Sequence, residues 1–185
     1  MRPDIVLSHE TKCGCTKACE VFLKIFPGWK VCALDASGLS GGLLVAWNPN
    51  VVDFKSYSIY AGLLLEGRIR GFEEHVKIVN YYALYNGKKI FWEKVMESDI
   101  FSKSNLIIGG NLNFTISKNE VWGTRARADE LVDFFNRMLI DSNLIDVIPC
   151  KLVPTWRNGH SGTCGVGRRL DHFLLYDTFY VGIGI

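Results

Sequence analysis

Two asparagines follow a strongly apolar, strand-like run of the sequence. The run Leu106–Ile108 leads into Gly109 and Gly110, and Asn111 and Asn113 come directly afterwards. A short apolar run that ends at glycine is typical of a buried strand. Alternate residues of an extended chain point the same way, so we expect the two amides to share one face. Layered α/β proteins commonly carry their chemistry at such strand ends.

Two carboxylates and a tyrosine occupy comparable positions beside other apolar runs. Glu10 follows the predicted strand Ile5–Leu7, Tyr82 ends the predicted strand His75–Tyr82, and Asp171 lies within the predicted strand Arg169–Leu175. Glu10 and Asp171 can equally be surface carboxylates, and Tyr82 a core aromatic residue with a solvated hydroxyl. If the strand ends meet, these side chains form one polar cleft.

The elements that would position these residues are mixed strands and helices. Apolar residues recur at helical spacing in three segments: Ala18–Phe26, Lys89–Glu97 and Asp129–Ser142. Strand-like runs separated by turn residues resemble an antiparallel meander: Lys30–Leu34, Gly42–Trp47, Val51–Tyr60, Leu63–Ile69 and His75–Tyr82. Periodicity and strand order alone therefore predict an α+β fold with mainly antiparallel sheets.

Composition is consistent with one globular domain spanning residues 1–185. The chain has 185 residues, 48% of them hydrophobic, which is enough apolar surface for a sizeable core. A net charge of +2 gives no global basic field for nucleic acid. Five arginines near the candidate site can supply local positive charge, or be ordinary solvated loop residues: Arg125, Arg127, Arg157, Arg168 and Arg169.

The N-terminal residues and the cysteines favour an intracellular protein, in the nucleus or cytoplasm, that is not secreted. No signal-peptide pattern or membrane-spanning apolar run is present in the sequence, and the six cysteines are expected to be reduced thiols. Cys13, Cys15 and Cys19 lie close to His9, but Cys-x-Cys-x3-Cys is not a standard zinc spacing. A structural zinc is therefore the less favoured reading of this cluster.

Five segments resemble, in the same order, the motifs of the endonuclease/exonuclease/phosphatase superfamily. The segment Leu106–Phe114 resembles its Gly-Asp-Phe-Asn signature, and Pro3–Lys12 resembles a strand ending in Gln-Glu-Thr-Lys. The segment Gly41–Trp47 is similar to a strand of plant retroelement members, and Val79–Leu84 to Asn-Val-Tyr-Ala-Pro. Thr155-Trp156 and the run Arg169–Leu175 together resemble the penultimate strands. The set resembles most the endonuclease domains of plant non-LTR (LINE-type) retroelements, which accompany a reverse transcriptase.

The resemblance implies a four-layer α/β sandwich, in which two mainly antiparallel sheets are flanked by helices. It also implies hydrolysis of DNA phosphodiesters with Mg²⁺ or Mn²⁺ held by Glu10, and neither a membrane nor a small-molecule cofactor. By the same resemblance, Asn113 and Tyr82 would contact the phosphate, and Asp171 would be an acidic partner of the catalytic centre.

Asn111 departs from the family pattern, because it stands where the family has its catalytic aspartate. A carboxamide cannot accept a proton at neutral pH and is a poorer ligand for a hard cation than a carboxylate. Loss of a general base typically lowers a rate by about 10²–10⁴-fold. The leading hypothesis is therefore a degenerate retroelement endonuclease with weak or no activity. The alternatives are an active phosphodiesterase or phosphatase that uses another base, and a non-enzymatic remnant or binding protein.

The two ends of the sequence also differ from the family pattern. Family members begin with a strand carrying Asn-x-Arg-Gly and end with a Ser-Asp-His strand, whereas this sequence runs from Met1 to Ile185 without either motif. We therefore expect an incomplete domain that lacks the first and last strands. Such a domain is expected to be marginally stable, because missing strands leave unpaired sheet edges.

Overall fold

The structure is a computed structural model that describes residues 3–37, 40–102, 105–124, 127–160 and 162–177. In these ranges, nine strands form two sheets that pack face to face. The small sheet has the order β1–β3–β2, and its strands are β1 (Ile5–His9), β2 (Lys30–Ser37) and β3 (Ser40–Trp47). The large sheet has the order β4–β5–β6–β7–β12–β9. Its strands are β4 (Val52–Ile59), β5 (Gly62–Ile69), β6 (His75–Tyr82), β7 (Leu106–Asn111), β9 (Leu144–Asp146) and β12 (Asp171–Tyr176).

Three α-helices, three short 3₁₀ helices (Asp99–Ser102, Lys118–Glu120 and Gly162–Cys164) and a third, short sheet complete the described part of the chain. The α-helices are α1 (Cys15–Ile25), α2 (Lys88–Met96) and α3 (Val132–Asp141). The short sheet has the order β10–β11–β8, with β8 (Val121–Trp122), β10 (Trp156–Arg157) and β11 (Gly167–Arg168). No helix in the described ranges combines the length and the apolar character that crossing a bilayer requires.

Three apolar clusters define four layers. Residues such as Val45, Leu63 and Ile78 fill the space between the two sheets. On the other face of the large sheet, Trp92 of α2 and Phe135 of α3 join a second cluster. A third, smaller cluster contains Ala18 of α1 and buried residues of β3. The order of layers is therefore α1, small sheet, large sheet, α2 with α3, and the predicted four-layer α/β sandwich is confirmed.

Strand β5 illustrates how these layers determine burial. Leu63, Leu64 and Leu65 are all buried, because the small sheet covers one face of β5 and helical residues cover the other. In β4, at the edge of the large sheet, buried and exposed residues alternate from Val52 to Lys55. The burial of β5 on both faces fits its central position in the layers, and the alternation in β4 fits a strand at the edge of the sheet.

The predicted antiparallel meander is confirmed within each sheet but is wrong between the two sheets. Strands β2 and β3 pair antiparallel, and β4, β5 and β6 pair antiparallel in order. Residues 48–51 carry the chain from β3 in the small sheet to β4 in the large sheet, so these two neighbouring strands do not pair. Strands β6 and β7 are parallel, and the chain crosses between them through α2. A parallel pair requires such a crossover connection.

Several predicted boundaries also shift. Helix α3 begins at Val132 rather than Asp129, because the Asp129 side chain accepts a hydrogen bond from the Leu131 amide in the turn before the helix. Helix α1 begins at Cys15, where the backbone amide donates to Asp35 Oδ1 at 2.6 Å. Strand β1 is half-buried rather than buried, since it lies at the edge of the small sheet.

Candidate active site

Three of the predicted site residues lie in a row across adjacent strands of the large sheet. Parallel pairing of β6 with β7 brings Tyr82 beside Asn111, and antiparallel pairing of β7 with β12 brings Asn111 beside Asp171. Paired Cα atoms in neighbouring strands lie about 4.5–5.5 Å apart. The register of the large sheet therefore brings these three positions together.

The two glycines before Asn111 permit this register. Gly110 has a φ of +125°, and a Cβ atom there would lie 2.1 Å from the carbonyl oxygen of Tyr81. At Gly109 a Cβ atom would lie 2.6 Å from Leu7 Cδ1 and 2.8 Å from Phe173 Cε1. Strand β7 can thus approach both β6 and the small sheet only because these residues have no side chain.

Asn80 holds the two sheets together next to the site. Its side chain is fully buried, and Nδ2 donates to the carbonyl oxygens of Ser8 at 3.0 Å and Leu44 at 3.1 Å. Ser8 belongs to β1, so these bonds fix the end of β1 against β6. Glu10, two residues after Ser8, is consequently held over Tyr82.

Glu10 and Tyr82 are joined directly. The Tyr82 hydroxyl donates to Glu10 Oε1 at 2.7 Å, and Glu10 has a left-handed backbone conformation with a φ of 55°. Burial, the hydrogen bond to Glu10 and the charges of Glu10 and Asp171 raise the pKa of Tyr82 to about 12. Tyr82 is therefore protonated at neutral pH and acts as a hydrogen-bond donor.

Asp171 is in contact with His9 and Thr155. His9 Nε2 lies 3.0 Å from Asp171 Oδ1, and Thr155 Oγ1 accepts from the backbone amides of Leu170 and Asp171. Burial opposes the charge of Asp171, yet its contacts with His9 and the Thr155 hydroxyl hold the pKa of this carboxyl below its usual value. Asp171 is thus a carboxylate at neutral pH.

Asn111 and Asn113 are brought together by a turn rather than by the extended strand that the sequence predicted. Strand β7 ends at Asn111, and Asn113 has a left-handed backbone with a φ of 53°. The Asn111 Oδ1 atom accepts a hydrogen bond from the Asn113 amide at 3.1 Å, and Asn113 Nδ2 donates to the Ala83 carbonyl. The expectation of an extended strand through Asn113 is therefore wrong, because a side-chain-stabilised turn replaces it.

A cleft of about 500 Å³ opens at this point. It is lined by Glu10, Tyr82, Ala83, Leu84, Tyr85, Asn86, Asn111, Asn113, Trp156 and Leu170. Four of the five predicted site residues thus line one cavity. The fifth, Asp171, is the neighbour of Leu170 and the pairing partner of Asn111.

Solved structures with this arrangement of layers are known. The endonuclease domain of TRAS1, a telomere-specific non-LTR retrotransposon, is 18% identical and superposes with a TM-score of 0.68 over 96% of this chain and 75% of its own. The 3′-5′ exonuclease NExo from Neisseria meningitidis is 17% identical, with a TM-score of 0.69 over 97% of this chain and 78% of its own. TDP2 from D. rerio, complexed with a single-stranded DNA product, is 13% identical, with a TM-score of 0.61 over 96% and 72%. The chain has the endonuclease/exonuclease/phosphatase fold.

This fold is recognised from structure rather than from overall sequence similarity. No protein-family model matches the sequence, and no curated protein matches it. At identities of 17–18%, the comparisons with TRAS1 and NExo establish the fold alone.

The donor atoms of the cleft fit a divalent cation with a preference for oxygen. Glu10, Asp171 and the amide oxygens of Asn111 and Asn113 supply only oxygen ligands, as Mg²⁺ and Mn²⁺ prefer. The Asp171 carboxylate lies beside the cleft, with Oδ1 buried and 3.0 Å from His9 Nε2. It adds a second negative charge to this set of oxygen ligands.

A second group of possible metal ligands has a different character. Ligand atoms of Glu120, Asp146 and His172 lie within 4.8 Å of one another. However, the Arg169 guanidinium already pairs with Glu120 Oε1 at 2.5 Å and with Asp146 Oδ2 at 2.6 Å. Both carboxylates are therefore already paired with a buried cation of the protein, and this group is a structural cluster.

The arginines singled out from the sequence lie in different environments. Arg169 is only 3% exposed, so its interpretation as a solvated or DNA-facing loop residue is wrong. Arg168 Nη2 donates to the Arg127 carbonyl, whereas Arg157 is exposed in β10. Arg125 lies outside the described residues.

Sequence reasoning missed three residues that shape the site. His9 was considered only as part of a possible zinc cluster, and Asn80 and Thr155 received no role. The sequence could have indicated a place near the site for His9, because His9 directly precedes Glu10. For Asn80 and Thr155, whose partners lie 72 and at most 16 residues away in the chain, local patterns contain little information about the contact.

Proposed function

We propose that this chain is a retroelement-type endonuclease domain that hydrolyses DNA phosphodiesters with a divalent cation, and that Asn111 weakens or abolishes its activity. The observation that supports the proposal is the meeting of Glu10, Tyr82, Asn111 and Asn113 around one cleft, with Asp171 beside it. The fold it shares with the TRAS1 endonuclease domain and with NExo supports the same class of reaction.

Each side chain has a role that its chemistry allows. The Tyr82 hydroxyl, protonated and held by Glu10, donates to a phosphoryl oxygen of the substrate. The Asn113 amide provides a second donor once the substrate competes for Nδ2. Asp171 and Glu10 concentrate negative charge beside the scissile phosphate, and this charge requires a cation.

That cation would be Mg²⁺ or Mn²⁺, held by Glu10 with oxygen atoms of Asn111 and Asp171. When bound, it neutralises charge on the phosphate and on the leaving oxygen. Glu10 is the carboxylate best suited to hold it, because it is 43% exposed and lines the cleft. DNA is the proposed substrate, in keeping with the DNA bound to the neighbouring TDP2 structure.

Asn111 limits the chemistry of this site. Its amide oxygen can orient a water molecule or contact a cation, but it cannot take a proton from the attacking water at neutral pH. The general-base contribution of about 10²–10⁴-fold is therefore missing unless another group supplies it. Weak, metal-dependent nicking is the expected behaviour of the chain.

Nicking of supercoiled plasmid DNA with Mg²⁺ or Mn²⁺ tests the proposal, with EDTA as the blank. Any activity above the blank should disappear in Glu10→Gln. A matched control is Glu93→Gln, which removes a carboxylate of similar exposure (45% against 43%) from α2, away from the cleft. Equal nicking by wild type and Glu10→Gln would contradict the assignment of Glu10.

Binding of Mn²⁺, measured by calorimetry or electron paramagnetic resonance, tests the site without requiring turnover. Asn111→Asp should tighten Mn²⁺ binding, because it adds a carboxylate to a set of oxygen ligands. It preserves the acceptor for the Asn113 amide, so the local turn should survive. Failure of both wild type and Asn111→Asp to bind Mn²⁺ would refute the metal-dependent function.

A further inference from the structure

His9 lies between two residues of the candidate site and has no role in the function proposed above. Its Nε2 atom is 3.0 Å from Asp171 Oδ1. Its ring stacks on the ring of Tyr82, with centroids 6.1 Å apart and an interplanar angle of 30°. One side chain therefore touches both the carboxylate of β12 and the phenol of β6.

These contacts cross from one sheet to the other. His9 is the last residue of β1 in the small sheet, whereas Tyr82 and Asp171 belong to the large sheet. The next residue, Glu10, accepts the hydrogen bond from Tyr82 at 2.7 Å. Two consecutive residues thus hold Tyr82, His9 at its ring and Glu10 at its hydroxyl.

Stability alone gives little reason for a histidine here. The side chains of His9 and Asp171 are 26% and 32% exposed, and ion pairs open to solvent add little to folding. The contact matters more for Asp171, because its Oδ1 atom is buried and lies 3.0 Å from His9 Nε2. His9 is therefore placed where it can orient this carboxylate.

We propose that His9 is a positioning residue of the cleft. Its Nε2–H group orients the Asp171 carboxylate, and its ring face holds Tyr82 so that the hydroxyl stays on Glu10. Its contribution to activity rests on the proposed function, whereas its effect on the positions of Asp171 and Tyr82 does not. Residues that orient groups at a metal site typically change affinity or activity by about 10–100-fold when removed.

Three substitutions separate the two contacts. His9→Gln keeps an N–H donor near the position of Nε2 but removes the ring. His9→Phe keeps a ring to stack on Tyr82 but removes the donor. His9→Ala removes both, and Lys55→Ala, in the exposed part of β4, serves as the control for a substitution remote from the cleft.

Kinetics and metal binding provide the first readout. In His9→Ala we expect kcat for DNA nicking and the affinity for Mn²⁺ to fall by about 10–100-fold, with KM for DNA changed by less than about 3-fold. His9→Gln and His9→Phe should each recover part of the loss. In an Asp171→Asn background, His9→Phe should have little additional effect, because the carboxylate that the donor orients is gone. A change in KM with no change in kcat would overturn the proposal. So would a loss of kcat from His9→Phe that is equally large with Asp171 and with Asn at position 171.

A crystal structure of His9→Ala provides a readout that does not depend on activity. We expect the Tyr82 hydroxyl to leave Glu10, or the Asp171 carboxylate to rotate; unchanged positions of both would overturn the positioning role. If His9→Ala does not fold, the structures of the other two variants test the positioning role. We then expect Tyr82 to be displaced in His9→Gln and Asp171 to be displaced in His9→Phe. If wild type neither nicks DNA nor binds Mn²⁺, the proposed function fails while this structural test still stands.

Discussion

Two consecutive residues of β12 face two opposite polar environments. Side chains alternate across a strand, so Asp171 faces His9 of the small sheet, beside the cleft, and His172 lies on the other face of the large sheet. His172 is 1% exposed, and its ring nitrogens lie 3.1 Å from Asp146 Oδ1 and 3.0 Å from the Phe114 carbonyl. Asp171 is half-buried, and its Oδ1 atom lies 3.0 Å from His9 Nε2.

The buried cluster is closely paired, whereas the cleft is more open. The Arg169 guanidinium pairs with both Glu120 and Asp146, and the His172 ring nitrogens lie against Asp146 Oδ1 and the Phe114 carbonyl. Each of these four side chains is less than 5% exposed. At the cleft, Glu10 accepts from Tyr82 and lies 4.0 Å from Lys12, and Asp171 lies 3.0 Å from His9, with all these side chains partly exposed. Complete internal pairing serves stability, and incomplete pairing leaves groups available for a ligand.

The largest effect should follow from removal of the buried cation. Arg169→Met leaves two buried carboxylates without their counter-charge, and breaking such a pair typically costs about 3–5 kcal/mol. Urea unfolding should show this loss in the free energy of unfolding. The control Arg137→Met, at an exposed position of α3, should change it by no more than about 0.5 kcal/mol. A loss below about 1 kcal/mol for Arg169→Met would mean that the two carboxylates do not depend on Arg169 as described.

Acid should weaken the buried cluster through Asp146. Burial opposes its charge, but hydrogen bonds from His172 and Arg169 hold the pKa of Asp146 below its usual value. The unfolded chain then binds the proton more readily, so this stabilisation is complete above about pH 4 and disappears as the pH falls through the lower folded pKa. The difference in unfolding free energy between wild type and Asp146→Asn should therefore shrink below about pH 4. A difference that is constant from pH 7 to pH 3 would contradict the assignment.

The sequence allowed the layers to be predicted because their signals are local. The apolar pattern of His75–Tyr82 matches β6 at both ends, and the glycines after Ile108 mark where β7 approaches its neighbours. The cleft residues were found through motifs in which strand and polar residue are adjacent. The Arg169 cluster was missed, because Asp146 and Glu120, the partners of Arg169, are 23 and 49 residues away in the chain. An arginine beside an apolar run also gives no local sequence signal that its side chain is buried. The contact of Asn80 with Ser8 depends in the same way on the packing of two sheets.

Substitution of a cleft carboxylate should affect metal binding more than stability, whereas substitution in the buried cluster should mainly affect stability. Asp171→Asn should change the free energy of unfolding by less than about 1 kcal/mol, because its ion pair with His9 is partly open to solvent. The same substitution should weaken Mn²⁺ binding, since it replaces a carboxylate with a poorer ligand. Urea unfolding without metal, together with an Mn²⁺ titration, measures both effects. A loss as large as that of Arg169→Met would remove the distinction between the two regions.

The smallest effect expected is the titration of a single phenol. Burial, the Glu10 hydrogen bond and the charges of Glu10 and Asp171 raise the pKa of Tyr82 to about 12, so the native state keeps this proton above pH 10, where a free tyrosine loses it. The stabilisation is complete below about pH 10 and is lost as the pH rises towards 12. Ultraviolet difference spectra of the folded protein should contain a transition near pH 12 that Tyr82→Phe removes. Tyr57→Phe, at a side chain that is 44% exposed, should leave that transition in place. If Tyr82→Phe instead removed a transition near pH 10, the phenol would not be held between the two cleft carboxylates, and the contrast with the paired interior of the molecule would rest on Asp171 alone.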